Sequence, residues 1–258
     1  MNISYYTGVS AMRVFQEDLN VTANNIANVN TTGYKPQKNS FSDLLYTQMD
    51  SRSGDLMVGH GVKSAGVEST FVQGGFQQTG RSLDFAINGK AYFAVEVNED
   101  DEEPAFTRDG SFQISATEDG NYLVTRDGYY VLGPEGERIE LEYRTVTDKD
   151  GKEGETPELN LDNMSERIGL YSCENPDGLV PVGNNLFRSG ETSGEWISQA
   201  DMDDGEINSK LLSRMLESSR TDVSTEMINM IETQRAFQMN SRVITVADEM
   251  ENIINTLR

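Results

Sequence analysis

The side chains that could do chemistry are few in this 258-residue chain. His60 is the only histidine. It stands between Gly59 and Gly61, a setting that reads as a solvated loop rather than the held base of a triad. Cys173 is the only cysteine, so no internal disulfide can form. A thiol dyad with His60 can be drawn. Cys173 lies in strand-like sequence, however, and reads as a small buried hydrophobe. The 43 Asp and Glu residues guarantee carboxylate pairs in any fold, so pairing carries little information. Asp148-Lys149-Asp150-Gly151 resembles the start of a calcium loop, but Glu153 holds the place where the sharp turn needs glycine. There is no phosphate-binding glycine loop and no dinucleotide fingerprint. The sequence therefore points to no enzyme, no cofactor and no metal.

What remains is shape. Val9, Met12, Leu19, Ala23 and Ile26 fall on one line of a helix, with Gln16 at the skipped position. The run then enters asparagines at Asn24, Asn25, Asn28 and Asn30 before Thr31-Thr32-Gly33. Asparagine weakens a helix because its amide competes for backbone hydrogen bonds. Gly33 is a natural left-handed stop. At the other end, Ser224 caps a second helix reaching nearly to Arg258, with Val223 set to staple against Ile228. Its stripe is Met227, Met230, Phe237, Ile244, Ala247, Met250, Ile254 and Leu257. Such a helix is about 50 Å long. Both stripes are too narrow for either helix to stand alone.

Between the helices the period changes. Pro36 forces an extended turn, and Phe41 to Tyr46 reads as a short helical turn. The glycine- and serine-rich stretch from Asp50 to Val72 reads as extended, partly strand-forming connection. Leu83, Phe85 and Ile87 alternate up to Asn88-Gly89, with 91–97 as the expected hairpin partner. The tetrapeptide Thr-Arg-Asp-Gly occurs at 107–110 and again at 125–128, suggesting two successive hairpins. IGLYS (168–172) and GLVPV (178–182) resume strand character, Asp204-Gly205 is a possible turn, and 207–219 could be strand or helix. The expected architecture is α+β. A helical segment (1–45) leads through an extended connector (46–75) to a central all-β domain (76–205) of short antiparallel strands. A second connector (206–222) then leads to a helical segment (223–258), and the two long helices pair as a coiled-coil-like stalk.

Composition narrows the partners. The net charge is −22, the hydrophobic fraction 36% and the mean hydropathy −0.55. Long-range repulsion argues against nucleic acid or an anionic membrane as partner. The charge is concentrated: residues 96–162 carry twenty acids and six bases, and the acidic tract 134–162 reads as a solvated loop or weak hairpin. Residues 1–50 carry four acids against three bases, and 213–258 seven against five. Near-neutral ends can pack against copies of themselves while the acidic middle stays solvated. No apolar run reaches 18 residues, so no membrane insertion is expected. The N-terminus lacks the pattern of an ordinary secretory signal peptide.

Three stretches carry a family resemblance. Ala23-Asn24-Asn25-Ile26-Ala27-Asn28-Val29-Asn30-Thr31-Thr32-Gly33-Tyr34-Lys35 resembles the N-terminal signature of bacterial flagellar axial proteins, those of the rod and hook. MINMIETQRAFQMNSRVITVADEM (227–250) is similar to their C-terminal signature. LDFAING (83–89) and FTRDGSF (106–112) resemble their β domain. The resemblance covers about half the chain. It implies terminal helices that pair and pack against neighbouring subunits in the inner tube of a helical filament. It also implies the β domain outside that tube, and passage through the type III export apparatus without a cleaved signal peptide. Ala91 departs from the glycine more usual before the paired aromatics, and the acidic tract is more acidic than the family pattern. The stretch from Tyr46 to Gly61 is short for a distal rod protein; proximal and distal rod members both stay open, and the length disfavours a hook member.

The reading is a structural, self-assembling rod subunit of the flagellar basal body, transmitting torque. Its partners would be copies of itself, other rod and hook proteins and the export apparatus. The assembly residues would be Val9, Met12, Leu19, Ala23, Asn24, Asn25, Ile26 and Asn28 on the first helix. On the second they would be Met227, Met230, Phe237, Ile244, Met250 and Ile254. The asparagines would set register between helices. The rival reading is a secreted or surface acidic β-domain binding protein, dimerised by a helical stalk. A third and weaker reading is an enzyme acting on cell-wall glycan, for which no carboxylate pair nominates itself.

Overall fold

The computed structural model describes residues 3–51, 54–97, 103–117, 120–144, 158–159, 163–202 and 209–257. The chain is α+β, with a long helix at each end and a β-rich middle. Most of the acidic tract (145–157 and 160–162), with Asp148–Gly151, lies outside the described residues, as does Asp204-Gly205.

The described structure divides into two compact units. The first comprises Met1–Val29, Lys35–Thr70 and Thr221–Arg258. It contains α1 (Ile3–Ala27), β1 (Gln37–Asp43), β2 (Tyr46–Ser51), β3 (Gly54–Gly59), β4 (Val62–Ser69) and the C-terminal helix α3 (Val223–Thr256). α1 ends before Gly33 because Asn28 takes over the last turn: its Nδ2 donates to Asn24 O (2.9 Å) and Asn24 Oδ1 (3.1 Å). α3 starts one residue before Ser224. Asp222, not Ser224, is its cap, accepting from Ser224 N (3.2 Å) and Thr225 Oγ1 (2.6 Å). In place of the helical turn expected over Phe41–Tyr46, Phe41–Asp43 end β1, Leu44 and Leu45 link, and Tyr46 begins β2. β1 pairs antiparallel with β4 from Gln37↔Ser69 to Asp43↔Val62, with a bulge at Ser40/Phe41. Pairing to a distant strand overrode local propensity there. β2 and β3 form a hairpin in which His60 lies beyond Gly59, exposed and within hydrogen-bond distance of Thr47 Oγ1.

The second unit comprises Asn30–Tyr34 and Phe71–Arg220. Its strands are β5 (Phe76–Gln78), β6 (Phe85–Asn88), β7 (Tyr92–Glu96), β8 (Ala105–Thr107), β9 (Gln113–Thr117), β10 (Gly120–Val124), β11 (Tyr130–Val131), β12 (Tyr143–Arg144) and β13 (Glu158–Leu159). After the short helix α2 (Met164–Arg167) come β14 (Leu170–Cys173), β15 (Val180–Gly183), β16 (Leu186–Arg188), β17 (Trp196–Ser198), β18 (Lys210–Ser213) and β19 (Met215–Glu217). The main sheet runs β15-β16-β8-β7-β11-β10-β9, and β14 bridges β7 and β17. β7 is buried on both faces, so its period-two pattern feeds two cores. Phe93 and Val95 join Phe85, Phe112, Leu123 and Val131 on one side. Tyr92 and Ala94 join Phe106, Leu132 and Phe187 on the other, where Trp196 stacks on Phe106.

Two expectations for this unit are corrected. Asn88-Gly89 does not close a β6–β7 hairpin, because β6 pairs with β18, from Phe85↔Ser213 to Asn88↔Lys210. The first Thr-Arg-Asp-Gly does not join two paired strands: β8 lies between β7 and β16, while β9 pairs with β10. The second does form a turn, with Val124 opposite Tyr130. The stretch 207–219, left open between strand and helix, supplies β18 and β19, separated by Arg214 at φ 60°.

Candidate assembly surface

In the first unit α1 and α3 run antiparallel. Asp18 Oδ2 accepts from Thr233 Oγ1 at 2.7 Å, and Asn25 reaches Glu226 Oε1 at 3.3 Å one end further on. Towards the other end, a Cβ on Gly8 would lie 3.0 Å from Ile244 Cγ1. The buried face of α1 is Gly8, Ala11, Val14, Thr22 and Asn25, spaced by three, three, eight and three. Small residues on that line let the second helix approach closely. It lies one residue, about 100° of helix, from the apolar line read in the sequence.

That offset leaves the apolar line of α1 facing outward or sideways. Val9 and Ala23 are exposed, and Met12, Leu19 and Ile26 half-buried. On α3, Met227 (54% exposed), Phe237, Met250 and Ile254 (65%) are open, Met230 is half-buried, and Ile244 is turned to Gly8. Only Thr233 and Ala247 of α3 are buried. Further apolar side chains that the sequence stripe omitted are also exposed, among them Ile228, Ile231, Met239 and Val246. The helix is apolar over more of its circumference than one partner can cover.

The asparagines divide. Asn24 is exposed and Asn28 half-buried. Asn25, read as an assembly residue, is 2% exposed and works inside the chain. Its Oδ1 accepts from Gln37 N (2.9 Å) and its Nδ2 donates to Gln37 O (2.8 Å), mimicking one rung of a β-ladder and pinning the start of β1 to α1. Small residues at a helical spacing, Gly8 and Ala11, were the signal for the intrachain face. Nothing local to Asn25 signals Gln37.

In the second unit, residues 30–34 lie against the backbone of two residues that form a buried ion pair. Gly33 adopts φ 67° and donates from N to Glu217 O (2.8 Å). A Cβ there would sit 2.7 Å from the Arg108 carbonyl carbon, so glycine is required twice over. Asn185 Nδ2 donates to Thr32 O (2.8 Å). Glu217, 1% exposed, accepts from Gly74 N at Oε1 (2.7 Å) and pairs through Oε2 with Arg108 Nη1 (3.4 Å). Arg108 Nη2 donates to Gly89 O (2.9 Å), and its guanidinium lies 4.7 Å from the Tyr92 ring centroid. Burial, opposed by Arg108, raises the Tyr92 phenol well above its ordinary range. Arg108 belongs to the first Thr-Arg-Asp-Gly and Gly33 to the N-terminal signature, so these two sequence motifs meet at one buried ion pair. Cys173 is half-buried beside the second core, and desolvation pushes its thiol up to about 11. No cluster of metal-ligating side chains occurs among the described residues.

An antiparallel pair of terminal helices with open apolar faces, attached in sequence to an acidic β unit, defines a protein whose exposed feature is helix surface rather than a metal site among the described residues. Three family models match in the same chain order. The flagella basal body rod protein model matches 6–35, the flagellar hook protein FlgE/F/G D1 domain model 86–156, and the flagellar basal body rod FlgEFG protein C-terminal model 212–257. The chain is 33% identical to the flagellar basal-body rod protein FlgG of Bacillus subtilis over 268 residues, covering 99% of each. It is 35% identical to that of Borreliella burgdorferi, covering 98% of this chain and 97% of the relative. It is 30% identical to the flagellar hook-basal body complex protein FlhP of Bacillus subtilis, covering 99% of each. The chain belongs to the flagellar basal-body rod protein family. It is a structural component of the basal body, not an enzyme. No described helix is long and apolar enough to cross a membrane.

Proposed function

We propose that the chain self-assembles through α1 and α3 into the helical tube of the rod, stacking with copies of itself and with other rod and hook proteins, and that the tube transmits torque. The supporting observation is the unsatisfied apolar surface of α3, which α1 covers only along the Gly8–Asn25 face. The outward residues Val9, Leu19, Met227, Phe237, Met250 and Ile254 are the contact residues between copies, with Asn24 and Asn28 setting register. The two long helices together form the stalk of each subunit. Delivery is by the type III export apparatus.

Sedimentation of the purified full-length chain tests this. A monomer that polymerises when nucleated by preformed filament ends supports the reading. A tight dimer at micromolar concentration that never polymerises supports instead a surface binding protein dimerised by its helices.

A further inference from the structure

The first unit contains a groove of about 370 Å³ between α1, β1 and α3, walled by Asp18, Glu226 and Glu232. Among the described residues Lys38 is the only basic one lining it, and it is itself exposed. The carboxylates are not idle surface acids. Asp18 accepts from Thr233, and Glu226 accepts from Asn25. Desolvation, with Asp18 and Asp222 nearby, raises the Glu226 carboxyl above its ordinary range. The groove thus sets three carboxylates against one exposed lysine.

The chain displays complementary cations elsewhere on the same unit. Ile228, Ile231, Arg235, Gln238, Arg242 and Val246 are all exposed and, spaced by three, four, three, four and four, form one line on α3. Among the described residues neither arginine enters an ion pair. Two arginines and an amide within an apolar line are tolerated in water, but burying that line demands carboxylates for the guanidinium groups. Arg235 and Thr233 are two residues apart and so point about 160° away from each other around the helix. The row therefore cannot enter its own groove.

We propose that the groove between α1, β1 and α3 receives the Arg235–Gln238–Arg242 row of α3 from a second copy, with the guanidinium groups on the carboxylates. This rests on the self-assembly reading and adds its polarity. Groove and row lie on different faces, so the contact is heterologous and propagates from copy to copy rather than closing as a dimer.

The test is charge reversal by halves, read as the critical concentration for nucleated polymerisation of the full-length chain. Glu232 and Arg242 are exposed, so Glu232→Lys and Arg242→Glu should each leave monomer melting unchanged. Each alone should raise the critical concentration by about ten-fold or more, the scale of a close interfacial charge pair. An equimolar mixture of the two variants should polymerise near the wild-type concentration. At one contact the introduced lysine then meets the introduced glutamate, and at the next the native pair meets. Polymerisation of both single variants at the wild-type concentration overturns the groove contact, while Leu19→Asp still blocking assembly would leave the self-assembly reading standing. Failure of the mixture to recover also overturns the contact. Were wild type itself never to polymerise from nuclei, both readings would fall together.

Discussion

Removing the carboxylate of Glu217 should be among the most damaging single changes in the β unit. Glu217→Ala leaves Arg108, 3% exposed, with Gly89 O and the Tyr92 face as its remaining partners, and Nε unsatisfied. It also takes the acceptor from Gly74 N. Breaking a buried pair from one side costs about 3–5 kcal/mol, because the remaining charge is stranded. A newly unpaired buried N–H alone accounts for about 1–3 kcal/mol of that. Trp196 is the only tryptophan and stacks on Phe106 within this unit, so its fluorescence reports unfolding of the unit in the intact chain. With a urea dependence of about 2 kcal/mol per molar, the midpoint should fall by roughly 2 M. The double change Glu217→Leu with Arg108→Met should recover most of the loss, since replacing both partners removes the stranded charge. A midpoint shift below about 0.5 M for Glu217→Ala would refute the claim that this buried ion pair is needed for the stability of the β unit.

Other perturbations separate local from global roles. Asn25→Ala strips Gln37 N and O of their partner and should cost about 2–4 kcal/mol in the first unit. Hydrogen exchange should show the Gln37 amide losing protection ahead of its β1 neighbours. Gly110→Ala should cost more than about 2 kcal/mol, because the added methyl would collide with the backbone carbonyl of Phe85; the thermal midpoint checks it. Cys173 should alkylate slowly at pH 8 and accelerate only towards pH 11. The sign follows from burial favouring the neutral thiol. Its folded-state pKa lies above the unfolded value of about 8.5, so its contribution to stability is complete below that pH and is lost as pH rises towards 11.

The elements that sequence reveals are those whose period is local. Both long helices declare themselves by stripe, and β7 by alternation around Tyr92 and Phe93. What escapes is pairing at a distance. Asn88-Gly89 has the chemistry of a tight hairpin, and Gly89 does take φ 138°, yet β6 finds its partner in β18 more than a hundred residues away. Phe41 falls to strand for the same reason, through β4. The positive-φ pair Asn184-Asn185, at 50° and 59°, carries the β15–β16 turn, and adjacent asparagines were a readable signal for it. For the assembly surface, the apolar line of α1 was legible, but not which face the chain reserves for itself. Small residues at Gly8, Ala11 and Thr22 set the intrachain approach by allowing it, and a hydrophobic pattern does not score permission. The type of Asn25 is local, but its job depends on Gln37, which β1 brings back against the helix.

Leu19 tests the central claim most directly. It is half-buried on the outward line of α1, beside rather than on the Gly8–Asn25 face. Leu19→Asp should therefore fold as a monomer but fail to extend nucleated filaments, and cells carrying it should show basal bodies without rods by cryo-electron microscopy. Normal rods and unchanged filament growth in that variant would contradict assembly through the terminal helices.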